Sequence, residues 1–290
     1  MNNQMAYLVG MILGNGEIQR NASNTTITIE VPHKNLRDDE GLEVSIYVKS
    51  SLADIRGVIE PLVGHSLPIT QTKRATSISF TKPNEDYTMR EILRFIGSGV
   101  HHTTMTMSDD LFNITTNEKK ELLRGIADVT GYIRKSNKAF GEEGHHRVYI
   151  EIPGNWQFVI DIANILKKLD IPVQTIDFGH PNFRDPSLKK YNEGKANYWK
   201  KEHQVKIWAN EFLPIGFNIL HKQRALENYA EELLEYLDEE KTHKFYWEKT
   251  IRLRDKPNHP MEQDMSLPDK IRGKHFNSWT QLAEDLGYGK

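Results

Sequence analysis

Two apolar, helix-like stretches of this chain carry glycine in their interiors, and few folds give that a use. Tyr7 to Arg20 reads YLVGMILGNGEIQR, and Leu122 to Arg134 reads LLRGIADVTGYIR. Gly10 aligns with Gly125 and Gly16 with Gly131, both at an offset of 115 residues, and the first stretch adds Gly14. A glycine inside a helix costs about 1 kcal/mol relative to alanine. What it offers in return is a missing Cβ, which lets a second backbone come close. The pattern predicts two helices packed side by side about a pseudo-two-fold axis. Their ends, Gly14 to Glu17 and Val129 to Tyr132, then meet at that axis, where chemistry on two related strands of a partner would be placed.

The flanking segments repeat as well. In the first unit, Glu17 to Val31 reads as a strand with a turn or bulge at Asn21–Asn24, and Leu42 to Lys49 alternates like a second strand. A helix over 51–63, two short strands over 68–74 and 76–82, and a helix over 87–97 follow. The second unit gives strands after Gly131 and over 146–152, a helix over 156–169, strands over 173–178 and 204–209, and helical segments over 211–237. Each unit reads αββαββα, with period-2 alternation marking most of the strands. The predicted class is α+β, two pseudo-symmetric repeats each with an antiparallel sheet. The predicted organisation is a first repeat over 1–100, a linker over 101–114, a second repeat over 115–237 and a C-terminal extension over 238–290.

Composition narrows the chemistry. There is no cysteine, which excludes disulfides, thiolate metal sites and a cysteine nucleophile. The N-terminal apolar run is too short for a membrane span. A cytoplasmic (or organellar matrix) location, no membrane and a monomer are expected. A formal net charge of −2 averages over an uneven distribution. Six acids and no base lie between Glu231 and Glu240, whereas residues 182–206 hold seven Lys/Arg against three acids, interleaved with Tyr191, Tyr198 and Trp199. Such segregation allows a positive surface on a near-neutral chain. The outward positions of the predicted strands are rich in groups that hydrogen-bond base edges and phosphates. An ordinary solvated sheet face reads the same way. The candidate nucleic-acid contacts are Gln19, Arg20, Ser45, Tyr47, Lys49, Thr72, Arg74, Ser77, Ser79, Arg134, Arg147, Tyr149, Lys200, Lys201, Gln204 and Lys206, with Lys73 as a further phosphate contact near the axis.

LVGMILGNG (Leu8 to Gly16) and LRGIADVTG (Leu123 to Gly131) resemble the two signature helices of the LAGLIDADG homing endonucleases, over roughly residues 4–237. The resemblance implies two saddle-shaped sheets laid on double-stranded DNA, and phosphodiester cleavage with Mg²⁺ or another divalent cation at the repeat interface. The family's catalytic position is the acid before the last glycine of each helix; here those positions hold Asn15 and Thr130. The metal would sit at Asn15 and Thr130 with Gly14 and Val129 before them. Neither Asn15 nor Thr130 is a carboxylate, so neither brings the charge a hard cation favours. Three explanations stand side by side: an inactivating change in an endonuclease, takeover by Glu17 or Asp128, or a member that binds DNA or intron RNA without cutting, as a maturase or regulator would. The histidine pairs His101–His102 and His145–His146 lack the i, i+4 spacing of a helical zinc site. In the extension, Ser278 to Tyr288 predicts a short helix capped by Ser278 or Thr280 and ended by Gly287, in a tail that packs on the second repeat or reaches along DNA.

Overall fold

The computed structural model describes residues 1–33, 43–134, 146–180, 202–240, 271 and 275–287. Lys200, Lys201, His145 and most of the basic 182–206 stretch lie outside them. The first unit runs α1 (Asn3–Asn15), β1 (Gly16–Arg20), β2 (Asn24–Pro32), α2 (Val44–Val63), β3 (Ile69–Gln71), β4 (Ala75–Pro83) and α3 (Tyr87–Phe95). A small hairpin, β5 (Ile96–Ser98) and β6 (Thr106–Met107), leads to the second unit. That unit is α4 (Thr116–Thr130), β7 (Gly131–Arg134), β8 (Arg147–Pro153), α5 (Trp156–Lys168), β9 (Thr175–His180), β10 (Glu202–Trp208), α6 (Ala209–Phe212) and α7 (Leu220–Glu240). The extension adds β11 (His275–Phe276) and α8 (Trp279–Leu286). The fold is α+β with the αββαββα order twice.

Both sheets are antiparallel and share one topology. The first is ordered β1-β2-β4-β3; the second is β7-β8-β10-β9, with β11 added outside β9. Local chemistry explains the elements that frame them. Asn2 caps α1 by accepting from Met5 N at 2.8 Å, and Thr115 with Glu118 forms a reciprocal capping box on α4. Asn21 Oδ1 accepts from Ser23 N and Asn24 N, closing the turn between β1 and β2. That turn divides the predicted long first strand into a hairpin.

One prediction needs correction. The segment ending at Lys49 is not a strand: from Val44 onward it is the first part of α2. Val44, Val48, Leu52, Ile55, Ile59 and Val63 form one buried stripe at helical spacing, and Ile46, the middle member of the apparent alternation, is 57% exposed. Val44-x-Ile46-x-Val48 satisfied both periods, and the longer helical stripe prevailed because it buries more apolar surface. Ser45, Tyr47 and Lys49 therefore belong to a helix, not a sheet face. The missing strand is β2, so the αββαββα order is kept.

α1 sits at the centre of the molecule, buried from Met5 through Gly14, the burial expected of a helix apolar on all sides. The extension completes the second half. Phe276 (1% exposed) meets Phe178 edge-on at 5.9 Å, and Ile271 and Leu282 are fully buried. Ser278 caps α8 and Gly287, at φ 79°, ends it. Phe276→Ala is expected to lower stability by about 3 kcal/mol through transfer and cavity terms, read as a urea-midpoint shift in the full chain; an unchanged midpoint would show the extension adds nothing to the second core.

Candidate nucleic-acid interface

The interface is built outward from the glycine seam between α1 and α4. A methyl group added at Gly10 would lie 2.1 Å from the Leu122 carbonyl oxygen, and one at Gly125 would lie 2.2 Å from that of Tyr7. Tyr7 and Leu122 are themselves related by the 115-residue offset, so the two contacts are reciprocal. Near the ends, a methyl at Gly14 would fall 2.5 Å from Val129 Cγ2. The helices therefore touch up to their last turns. Gly16 and Gly131 then turn the chain into extended backbone while donating back to Ile12 O and Ala127 O, and each helix passes directly into an edge strand of its sheet.

At the tips, the side chains are already engaged. Asn15 Nδ2 donates to Glu30 O at 2.8 Å, and Thr130 Oγ1 donates to Ile126 O within its own helix at 2.7 Å. Gly14 and Val129 are buried. Asp128 is fully buried away from any open surface. It accepts from Tyr7 Oη at 2.7 Å and from the Asn218 and Ile219 N–H groups at 3.1 Å, which anchors the start of α7. Burial pushes its carboxyl up to about 6, against the nearby Lys222 charge and these hydrogen bonds. Its surroundings are those of a structural carboxylate.

Glu17 is the remaining tip carboxylate, and it is exposed. It opposes His101 in an antiparallel bridge and Thr28 in the β1–β2 ladder, and Thr28 in turn opposes Ser79. Residues directly opposed across antiparallel strands project to the same face, so His101, Glu17, Thr28 and Ser79 form one row. Gln19, Thr26, Glu30, Ser77 and Thr81 share that face. It is open: Glu17, Gln19, Glu30 and Thr81 are exposed, and Thr26, Thr28, Ser77 and Ser79 are half-exposed. Arg20 closes one end, and the exposed Thr72, Lys73 and Arg74 turn closes the other. Sequence reading missed Thr26, Thr28, Glu30 and the position of His101. The alternation in NTTITIE marked the first three; His101 joins only because the linker pairs with the edge of β1, Ile18 N donating to Val100 O at 2.7 Å.

The second sheet differs. Tyr149, Gln204, Lys206 and Trp208, expected to face outward, are 4–8% exposed, as are Tyr132 and Glu151. Tyr132 Oη donates to Glu151 at 2.5 Å, Gln204 Nε2 donates to the same oxygen at 2.7 Å, and Lys206 Nζ pairs with Asp177 at 2.5 Å. Tyr132 stacks on Tyr149 at 5.2 Å, and Arg147 lies over the Trp208 ring at 4.7 Å. Arg134 and Arg147 stay half-exposed at the inner edge. Of the sequence-predicted contacts among the described residues, Gln19, Ser77 and Ser79 share the first face, and Tyr149, Gln204 and Lys206 share the second with Arg134 and Arg147 at its edge. Arg20 lies on the opposite parity, Thr72 and Arg74 in a turn, and Ser45, Tyr47 and Lys49 on a helix.

A divalent cation shared between the tips would require charged oxygen donors from both halves. The first half offers the Asn15 amide oxygen and Glu17; the second offers a hydroxyl spent in its own helix and, at the place of Glu17, the phenol of Tyr132. Among the described residues, no group of three or more His, Asp or Glu is placed to hold a metal ion, and no helix is long and apolar enough to cross a membrane. The residues present do not fit a two-carboxylate Mg²⁺ centre.

No protein-family model matches the chain, and no curated protein sequence matches it. Among solved structures, the backbone is similar to I-DmoI in complex with DNA and Ca, with a TM-score of 0.40 and 11% identity over 73% of this chain and 86% of that one. It is similar to the homing endonuclease I-WcaI bound to its DNA recognition sequence, with a TM-score of 0.42 and 15% identity over 73% and 80% of the two chains. Full-length DUF199/WhiA from Thermatoga maritima gives 0.43 and 12% identity over 81% of this chain and 60% of that one. Each value describes general likeness of backbone.

Proposed function

We propose that this chain is a double-stranded DNA-binding protein that reads its site through the first sheet and does not cut both strands. The observation that carries the reading is the open face around His101, Glu17, Thr28 and Ser79, on the sheet that α1 enters from the glycine seam. A twisted β-ribbon fits the major groove, and hydroxyl, amide and carboxylate groups hydrogen-bond base edges there. Lys73 and Arg74, in the exposed turn at one end of the sheet, supply cations for phosphates, which set register rather than sequence. The bonded Asn15 and Thr130 and the buried Asp128 argue against a paired hydrolytic centre.

Gel shift with a random duplex pool should show affinity falling steeply between about 50 and 200 mM salt. The double variant Thr28→Asp with Ser79→Asp should weaken binding about tenfold or more by placing like charge in the groove. No duplex binding at low salt, or preferential binding of structured RNA, would overturn the proposal. Glu17 supports a second reading, in which one strand is nicked with a divalent cation. Supercoiled plasmid would then give open circles rather than linear product, and Glu17→Gln would remove the activity.

A further inference from the structure

The two halves of this molecule share a backbone plan but not a recognition chemistry. The ladders pair position for position: Glu17, Thr28 and Ser79 of the first sheet correspond to Tyr132, Tyr149 and Lys206 of the second, and Glu30 with Ser77 corresponds to Glu151 with Gln204. In the second sheet these groups are buried and spent on one another. Its cation is neutralised by Asp177, and its carboxylate is held by Tyr132 and Gln204. In the first sheet the corresponding groups face solvent, Glu17 accepting, among the described residues, only from the exposed Gln19 Nε2 at 3.1 Å.

The open face has a definite polarity. It carries two exposed carboxylates, Glu17 and Glu30, and a field of hydroxyls, with no lysine or arginine among the strand positions that point outward. The neighbouring cations lie elsewhere. Lys82 and Arg20 share one row on the opposite parity, Lys82 being bonded to Asp86 at 2.6 Å, and Lys73 and Arg74 sit in the turn at the far end of the sheet. In the major groove, cytosine presents an N4 amino donor and adenine an N6 amino donor, whereas guanine presents only acceptors, which arginine and lysine read. A face of acceptors flanked by cations matches amino-bearing bases in the middle and phosphates at the edges.

Resting on the DNA-binding reading above, we propose that the chain recognises one asymmetric half-site only, and that Glu17 and Glu30 select C·G pairs by accepting from the cytosine N4 amino group. Glu17 lies beside the tip of α1. Glu30 is on the adjacent strand; its carbonyl is fixed by Asn15, while its carboxylate stays exposed. The tip asparagine thereby acquires a role in positioning a reading strand. The second half acts as a support whose central polar groups are closed, with Arg134 and Arg147 half-exposed at its edge.

The test is selection of duplexes from a random library by the full chain at low salt, followed by sequencing. The expected product is a single non-palindromic motif with C·G pairs preferred over A·T pairs at two positions, each preference lost in one of the two carboxylate variants. Glu17→Gln and Glu30→Gln, both at exposed sites, should each relax one of those positions by about 5- to 100-fold, and the loss of a negative charge should raise rather than lower affinity for unselected duplex. A two-part, pseudo-palindromic motif would overturn the one-half claim. A motif whose every position is indifferent to both variants would overturn the acceptor claim. Enrichment of no duplex at all would remove the DNA reading itself, which the first two outcomes leave standing.

Discussion

Gly10→Ala is expected to cost about 3 kcal/mol or more, and Gly10→Leu to prevent folding. The added methyl at Gly10 would lie 2.1 Å from the Leu122 carbonyl oxygen and 3.0 Å from its carbonyl carbon. The obstacle is backbone in a helix, so no side-chain rotation relieves it, and the seam must open along its length. Overpacking of this kind costs about 1–3 kcal/mol where side chains can yield, and more where they cannot. Gly125→Ala should match it, because its methyl would lie 2.2 Å from the Tyr7 carbonyl oxygen. The double variant should cost less than the sum of the two, since one separation of the helices relieves both clashes. Gly57 on α2 supplies the control: nothing lies within 4 Å of its added methyl, so Gly57→Ala should stabilise by about 0.5–1 kcal/mol. Chemical denaturation of the four variants decides the matter, and a Gly10→Ala protein as stable as Gly57→Ala would mean the seam is not closed in solution.

Asp128→Ala should cost about 4 kcal/mol, because it strips partners from the buried Tyr7 hydroxyl and Ile219 N–H at once. Asp128→Asn keeps an acceptor in place and should be milder, but it changes the pH profile. In the folded protein the Asp128 carboxyl is raised from its ordinary 3.8 to about 6. As pH falls through about 6 the folded state takes up a proton that the unfolded chain refuses until near 3.8. The wild type therefore gains stability relative to Asp128→Asn on acidification, by about 3 kcal/mol over the whole interval, and loses it as pH rises again. Asp161, also raised to about 6, and His102 and His221, both lowered to about 4 by burial, titrate in the same window. They are common to both proteins and cancel in the difference. Urea midpoints at pH 7.5, 6, 5 and 4.5 should show the gap between the two proteins widening toward acid; a constant gap would show that Asp128 keeps one charge state throughout.

These two sites also mark how far the residue string alone could be read. The Gly10–Gly125 seam was legible because both the cost of glycine in a helix and its repetition are written in the chain. Asp128 could be placed on the right helix, but not beside Asn218 and Ile219, 90 residues away in sequence. The start of α2 was ambiguous because Val44, Ile46 and Val48 fit a period of 2 as well as the first turns of a helix. The hydroxyls of β4 were found from alternation. Glu17 was found from its place after the helix, but His101 was not seen as its neighbour, since that pairing depends on the linker meeting the free edge of β1.

What the chain determines by itself is what local spacing and backbone chemistry can encode: two glycine-bearing helices, the αββαββα order given twice, caps such as Ser278, and the alternation of its strands. Whether a polar strand face stays open was decided only by folding. Ser79 and Lys206 occupy corresponding positions and both read as outward residues, yet one is left half-exposed and the other is neutralised by Asp177 within a buried network. Alternation says which residues share a face; exposure and charge pairing depend on distant groups that only the tertiary structure brings within reach.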